Sequence, residues 1–75
     1  MTTEERLEAL LTLAGLRRKP MYHPKEVQAM LSISPTHFRA LCDQYDDSGQ
    51  GLRCVRIGKK RRVEYTALKA WLEQN

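Results

Sequence analysis

The most evident chemical feature of the sequence is a dense group of cationic side chains in its C-terminal third. Residues 53–62 contain six cations and no acidic residue, so this segment alone carries a charge of +6. Such concentration produces a directed potential that attracts polyanions or anionic surfaces. The β-favouring residues Val55, Ile57, Val63 and Tyr65 bracket the run and favour a hairpin tip over a disordered tail or sorting signal. The cations are Arg53, Arg56, Lys59, Lys60, Arg61 and Arg62.

The cysteines and histidines offer little for a metal site or for catalysis. Cys42, Cys54, His23 and His37 lack the short ligand spacings of zinc sites, so we expect no metal. We expect both cysteines to be small core residues and not a disulfide. No serine or cysteine has an evident base, and no phosphate-binding glycine loop or paired-carboxylate site is visible. We therefore expect no enzymatic activity and no cofactor.

Length and composition indicate one small folded domain. A chain of 75 residues buries only about 60% of its unfolded surface, which allows a small core and an exposed binding surface. The hydrophobic fraction of 41% is typical of a folded protein, and the formal net charge is +4. No apolar run is long enough to span a membrane, and the acidic start MTTEERLEALL predicts no signal peptide.

The first predicted element is a helix over residues 3–14. Thr2 and Glu5 fit a capping box at its start, and Gly15 is a suitable stop. A basic linker follows, containing Arg17, Arg18 and Lys19. The core-facing positions of the helix are Leu7, Leu10, Leu11 and Ala14.

Two short helices separated by a turn of about three residues come next. The earlier one starts at Pro24 after a His23 cap and ends near Leu31, and the later one starts at Pro35 after a Ser34 cap. The inward face of the later helix carries Phe38, Leu41, Cys42 and Tyr45. Its opposite face carries Thr36, Arg39, Ala40 and Asp43, with His37 on the flank.

The remaining chain is predicted to form a loop, a hairpin and a final helix. The loop has the sequence DDSGQG (46–51), and the strands cover residues 52–57 and 62–65, joined through residues 58–61. Thr66 is expected to cap the last helix, whose core positions are Leu68, Trp71 and Leu72.

Over residues 21–72 the sequence resembles the winged helix-turn-helix of excisionases and MerR-type regulators. The strings YHPKEVQAMLSIS, SPTHFRALC, VRIGKKRRV and ALKAWLEQN carry the resemblance. It implies a mainly α fold with a small β-hairpin. Residues 21–75 would form the winged helix-turn-helix, and residues 1–20 an additional N-terminal helix with its basic linker. The chain has His23 where the family often has a Ser or Thr cap, and Ser32 where glycine is common. Ser32 costs up to about 1 kcal/mol if the turn needs a left-handed residue.

The resemblance also implies which residues contact double-stranded DNA. The second helix of the motif would enter the major groove, and the hairpin would be a wing on the phosphate backbone or in the minor groove. Arg39 suits a bidentate contact with guanine, although a phosphate contact or an ion pair with Asp43 is equally compatible with its position. The helix candidates are Ser34, Pro35, Thr36, His37, Arg39 and Ala40. The wing candidates are Arg56, Lys59, Lys60, Arg61 and Arg62. Secondary candidates are Arg17, Arg18, Lys19 and Lys25.

Three functions are compatible with this resemblance. The first is a phage or mobile-element excisionase, which sets the direction of recombination, and the second is a small transcription regulator. The alternative is a DNA-recognition subunit, such as a terminase small subunit, that acts mainly through a protein partner. Expected partners are DNA, a recombinase or other protein, and a second copy of the chain, through the leucine-rich first helix or by cooperative assembly on DNA. The expected location is the bacterial cytoplasm, at the nucleoid, for a bacterial or phage-encoded protein.

Overall fold

The computed structural model describes residues 2–74, which form four helices around a small sheet. The strands β1 (Met21–Tyr22), β2 (Val55–Ile57) and β3 (Lys60–Glu64) pair in the antiparallel order β1-β3-β2, with Tyr22 opposite Val63 and Ile57 opposite Lys60. This is a winged helix-turn-helix with an additional N-terminal helix, and it confirms the predicted fold class. Residues 55–64, which comprise β2, its turn and β3, are called the wing below. The elements are α1 (Thr3–Leu13), β1 (Met21–Tyr22), α2 (Pro24–Leu31), α3 (Pro35–Ser48), β2 (Val55–Ile57), β3 (Lys60–Glu64) and α4 (Tyr65–Gln74).

The ends of α1 follow local capping rules. The Thr2 hydroxyl oxygen accepts a hydrogen bond from the Glu5 backbone N–H at 3.1 Å, as the capping box predicts. Past the other end, Gly15 takes a φ of +72°, and the Leu16 N–H donates to the Leu11 carbonyl at 2.8 Å. This is the Schellman pattern, in which a left-handed residue satisfies the last helical carbonyls. The predicted stop at Gly15 is confirmed.

The turn between α2 and α3 is built as the sequence predicts. The Glu26 carboxylate accepts a hydrogen bond from the His23 backbone N–H at 2.9 Å at the start of α2. The Ser34 hydroxyl oxygen accepts from the His37 N–H at 3.1 Å at the start of α3. Between the two helices, Ser32 has φ 55° and ψ 45°, the left-handed conformation that favours glycine. The turn therefore carries a small strain at Ser32.

A single core joins α1 to the other three helices and to β3. Leu7 and Leu11 are almost fully buried in it, and Leu10 packs against it. The leucine face of α1 therefore packs inside the molecule, as its core-facing positions predict, and Leu13, 84% exposed, does not join it. The core consists of Leu7, Leu11, Tyr22, Val27, Met30, Phe38, Cys42, Leu52, Val63, Tyr65, Leu68 and Leu72.

Several predicted boundaries are wrong. The α3 helix continues to Ser48, so residues 46–48 are helical, and Gly49 with a φ of +76° ends it. The β2 strand begins at Val55, and Lys60 and Arg61 belong to β3, so the hairpin turn is only residues 58–59. The last helix begins at Tyr65, without the Thr66 cap. Pairing with β1, a strand that the sequence did not predict, extends β3 towards α4.

The prediction that Cys42 and Cys54 do not form a disulfide is also wrong. Their sulfur atoms are 2.07 Å apart in a disulfide, although Cys42 is a buried core residue as expected. The cause is the return of the chain after α3, where the Leu52 N–H donates to the Leu41 carbonyl at 3.3 Å. This return brings the two cysteine Cα atoms within 5.8 Å.

Candidate nucleic-acid interface

The wing and the first turns of α2 and α3 enclose two adjoining grooves. Pro24, Pro35 and Arg61 border both of them. The groove on the α3 side is completed by Thr36, Phe38, Arg39 and Lys59. The groove on the α2 side adds the cations Lys25, Lys60 and Arg62. Most of the cations predicted from the sequence are thus brought together on one surface.

The starts of α2 and α3 add to the positive character of this surface. Both helices begin with a proline that borders the grooves, so their N-terminal ends are directed to the same region. Helix N-termini carry a partial positive charge and backbone N–H groups without partners in the helix, which suit phosphate oxygens. The arrangement can therefore bind an extended polyanion through backbone and side-chain groups together.

The wing is linked to α3 at three points. The disulfide joins Cys42 of α3 to Cys54, one residue before β2. The guanidinium of Arg61 lies 3.3 Å from the Asp43 carboxylate. A longer contact of 3.9 Å joins Arg56 to Asp46.

Arg56 and Arg61 are directly opposite each other in the hairpin, so both project from the same face of the wing, the face whose arginines meet α3. Exposed ion pairs are individually weak, but together with the disulfide they fix where the wing stands beside the helix. The roles of Asp43 and Asp46 were missed because the partners are distant in sequence. In the sequence there was one indication for Asp43, which shares a helix face with Arg39, and none for Asp46.

Three of the predicted helix residues have other surroundings. His37 borders a separate groove along the other flank of α3, with Leu41 and Trp71. The hydroxyl of Ser34 is engaged in capping α3. Ala40 is exposed on α3, where its small side chain permits close approach of a ligand. DNA contact by these residues stays a prediction.

The basic linker after α1 is packed against the domain. The Tyr22 hydroxyl donates to the Arg17 carbonyl at 2.9 Å, and the Arg18 guanidinium lies 4.5 Å from the centre of the Tyr65 ring. The Lys19 ammonium lies 2.8 and 2.7 Å from the two carboxylate oxygens of Glu26. The side chains of Arg18 and Lys19 are therefore engaged within the protein, and their predicted contact with DNA is untested.

The Lys19–Glu26 pair also affects the titration of the carboxylate. Burial by itself would raise the pKa of Glu26, but the hydrogen bonds from the Lys19 ammonium and the His23 N–H outweigh it. The net result is a pKa below the ordinary value of 4.5. The carboxylate that caps α2 is therefore held in its charged form beside the basic grooves.

Comparisons with known proteins agree with this architecture. A family model described as a helix-turn-helix domain matches residues 21–75, the part that contains α2, α3, the wing and α4. Neither a curated protein nor a solved structure gives a significant match to the chain. Across residues 2–74, no helix is both long and apolar enough to cross a membrane. The chain therefore belongs to the helix-turn-helix domain family, and this membership supports DNA as its partner.

Proposed function

We propose that the protein binds double-stranded DNA sequence-specifically and without catalysis, with α3 in the major groove and the wing on the adjacent backbone or in the minor groove. The observation that carries this proposal is the groove beside the first turn of α3. Arg39 of α3 lines this groove together with Lys59 and Arg61 of the wing. The helix and the wing each contribute cations to it. This arrangement suits duplex DNA, whose major groove and phosphate backbone lie side by side.

The recognition step is assigned to the exposed face of α3. An α-helix fits the major groove of B-DNA, where Arg39 can donate two hydrogen bonds to a guanine. Thr36 offers a methyl group to thymine or a hydroxyl to a phosphate, and Ala40 leaves room for the base edges. Discrimination between sequences is expected to depend most on Arg39, since a bidentate contact is the most restrictive of these interactions.

The sequence-independent part of the affinity is assigned to the wing. Lys59 and Lys60 are exposed, and neither forms an ion pair within residues 2–74, so their charges are available to phosphates. The two ion pairs to α3 hold the wing beside the helix, which reduces the conformational entropy that the wing loses when it binds DNA.

Within this function we favour a bacterial or phage-encoded excisionase or small transcription regulator that acts in the bacterial cytoplasm. Leu7 and Leu11, two of the three leucines considered for a dimer face on α1, are buried in the protein's own core. We therefore infer that any assembly forms on DNA, which predicts repeated sites in one orientation. An inverted repeat with fixed spacing would instead indicate a two-fold dimer and a regulator.

The experiment is a binding titration on a labelled generic duplex over a series of salt concentrations. The variant Lys59→Ala/Lys60→Ala removes two exposed wing cations, and Arg6→Ala/Lys69→Ala removes two cations from α1 and α4 as a charge-matched control. If both lysines contact phosphates, the slope of log affinity against log salt flattens by roughly 1.8 in the first variant, about 0.9 per contact. Equal slopes in the two variants, or no salt-dependent binding by the wild type, would refute the proposal.

A further inference from the structure

The wing exposes an apolar side chain among its cations. Ile57, at the end of β2, is 57% exposed, and it and Leu13 are the two large hydrophobic residues left exposed in the part of the chain that the structure describes. Single exposed hydrophobic residues are common on proteins and by themselves indicate nothing. The surroundings of Ile57 distinguish it from Leu13.

Ile57 lies beside the tip of the hairpin. Gly58, with a φ of +65°, and Lys59 form the turn immediately after it, and Lys60 stands directly opposite it on β3. A glycine at the first central position is typical of the tight hairpin turns that project least beyond the strands. Ile57 therefore lies level with Lys60 along the hairpin, directly before the turn.

The two faces of the wing differ in chemistry. Arg56 and Arg61 form the face that is paired with acidic residues of α3. Ile57 is on the other face with its partner Lys60, because residues opposite each other in an antiparallel pair project to the same side. No packing role holds Ile57 there, since it lies outside the hydrophobic core and its partly buried margin.

This combination fits the minor groove of DNA. Its walls are apolar deoxyribose faces between two rows of phosphates, and DNA-bending proteins insert side chains such as isoleucine between base steps there. Lys60 across the hairpin and Lys59 in the turn can contact the phosphates while the apolar side chain beside them enters the groove. We propose that Ile57 is a DNA-contacting residue that enters the minor groove and adds affinity independent of salt. This inference rests on the proposed function and adds an apolar contact to a wing otherwise assigned to phosphates.

The test compares two removals of exposed apolar surface. Ile57→Ala removes the proposed contact, and Leu13→Ala is the matched control at the end of α1. Ile57→Thr keeps the β-branched shape that suits the strand and replaces the ethyl group of isoleucine with a hydroxyl. It therefore tests the apolar contact while the hairpin is preserved. Affinity for the duplex is measured over the same salt series, and thermal unfolding checks each variant.

We expect Ile57→Ala to weaken binding by about fivefold to tenfold at every salt concentration, as partial burial of such a side chain implies, with the salt slope unchanged. Ile57→Thr should behave similarly, and Leu13→Ala should match the wild type. A minor-groove-binding drug should weaken the wild type more than Ile57→Ala, because the variant has already lost the competing contact.

The outcomes separate this inference from the proposed function. Salt-dependent binding by the wild type together with unchanged affinity in Ile57→Ala would overturn the minor-groove contact alone. A loss in Ile57→Ala accompanied by a flatter salt slope would also overturn it, since the residue would then act by placing the lysines. Absence of duplex binding by the wild type would overturn both proposals.

Discussion

A carboxylate oxygen of Asp43 on α3 lies 3.3 Å from the Nη2 atom of Arg61 on β3, so the proposed recognition helix and the wing share an ion pair at the groove between them. Arg61 is the more enclosed partner, with 22% of its side chain exposed against 54% for Asp43. The pair has two opposing effects on DNA binding. It fixes the guanidinium in place, and it neutralises part of the charge that a phosphate would meet.

Removal of the Asp43 charge should therefore strengthen binding to generic DNA. In Asp43→Asn the guanidinium of Arg61 is free to bind a phosphate, and the salt slope should become steeper by up to about 0.9. Asp47→Asn removes the same charge from the exposed surface of the same helix and controls for net charge. The measurement is the salt series on a generic duplex. The same slope in both variants would show that Asp43 does not limit Arg61.

Reduction of the Cys42–Cys54 disulfide should lower the free energy of unfolding. The link closes a loop with a sequence separation of 12, and closure of a loop of about this size stabilises a protein by roughly 3 kcal/mol. Urea unfolding of the wild type with and without reductant measures the difference, and Cys54→Ala should be insensitive to reductant. Identical curves for the oxidised and reduced wild type would contradict the prediction.

Glycine in place of Ser32 should stabilise the protein. The left-handed conformation of Ser32 is strained for a residue with a Cβ atom, and its relief is expected to raise the free energy of unfolding by up to about 1 kcal/mol. Ser32→Ala keeps the Cβ atom and should bring no gain, so it is the control. Chemical denaturation of the three proteins decides, and a Ser32→Gly variant that is less stable than the wild type would show that chain entropy outweighs the strain.

Acid should weaken the capping of α2 through Glu26. Because the pKa of Glu26 in the folded protein is below 4.5, its charged form stabilises the fold above that pH, and this contribution is lost as the pH falls through the lowered pKa. Glu26→Gln should show a smaller loss of stability below pH 4.5 than the wild type. Glu73→Gln, at an exposed position of α4, is the control for the loss of one surface carboxylate. Denaturation at a series of pH values gives the stability profile of each protein. Parallel profiles for wild type and Glu26→Gln would be evidence against a stabilising Lys19–Glu26 pair.

The features that the sequence predicted correctly depend on short-range chemistry. The stop at Gly15, the cap at Ser34 and the start at Pro24 each involve groups within a few residues, so residue type is sufficient to identify them. The disulfide and strand β1, which the sequence did not predict, depend instead on contacts between distant segments. The disulfide and the pairing of β1 with β3 exist because the chain returns after α3 and after the linker, and no local pattern contains that information.

The same division applies to the candidate site. The concentration of basic residues and the β-favouring residues around them were sufficient to identify the cations of the wing. They did not indicate which of these cations are paired with acidic residues. Lys59 and Arg61 have equal charge in the sequence, yet the structure leaves the lysine exposed and pairs the arginine with Asp43. Similarly, Ile57 was expected only to support a strand, and its exposure follows from the end of β2 at the turn.

The pairing of β3 also bears on how such a protein can change over evolutionary time. Its inner end is anchored by Val63, a buried residue opposite Tyr22, whereas the hairpin tip at its other end, residues 57–60, is exposed. Apart from Gly58, whose φ of +65° favours glycine, substitutions at the tip are therefore nearly neutral for folding, while each one alters what the wing presents to its ligand. New binding preferences can arise there by single mutations, and a library randomised at positions 57, 59 and 60, with Gly58 kept, would search for them without loss of the scaffold.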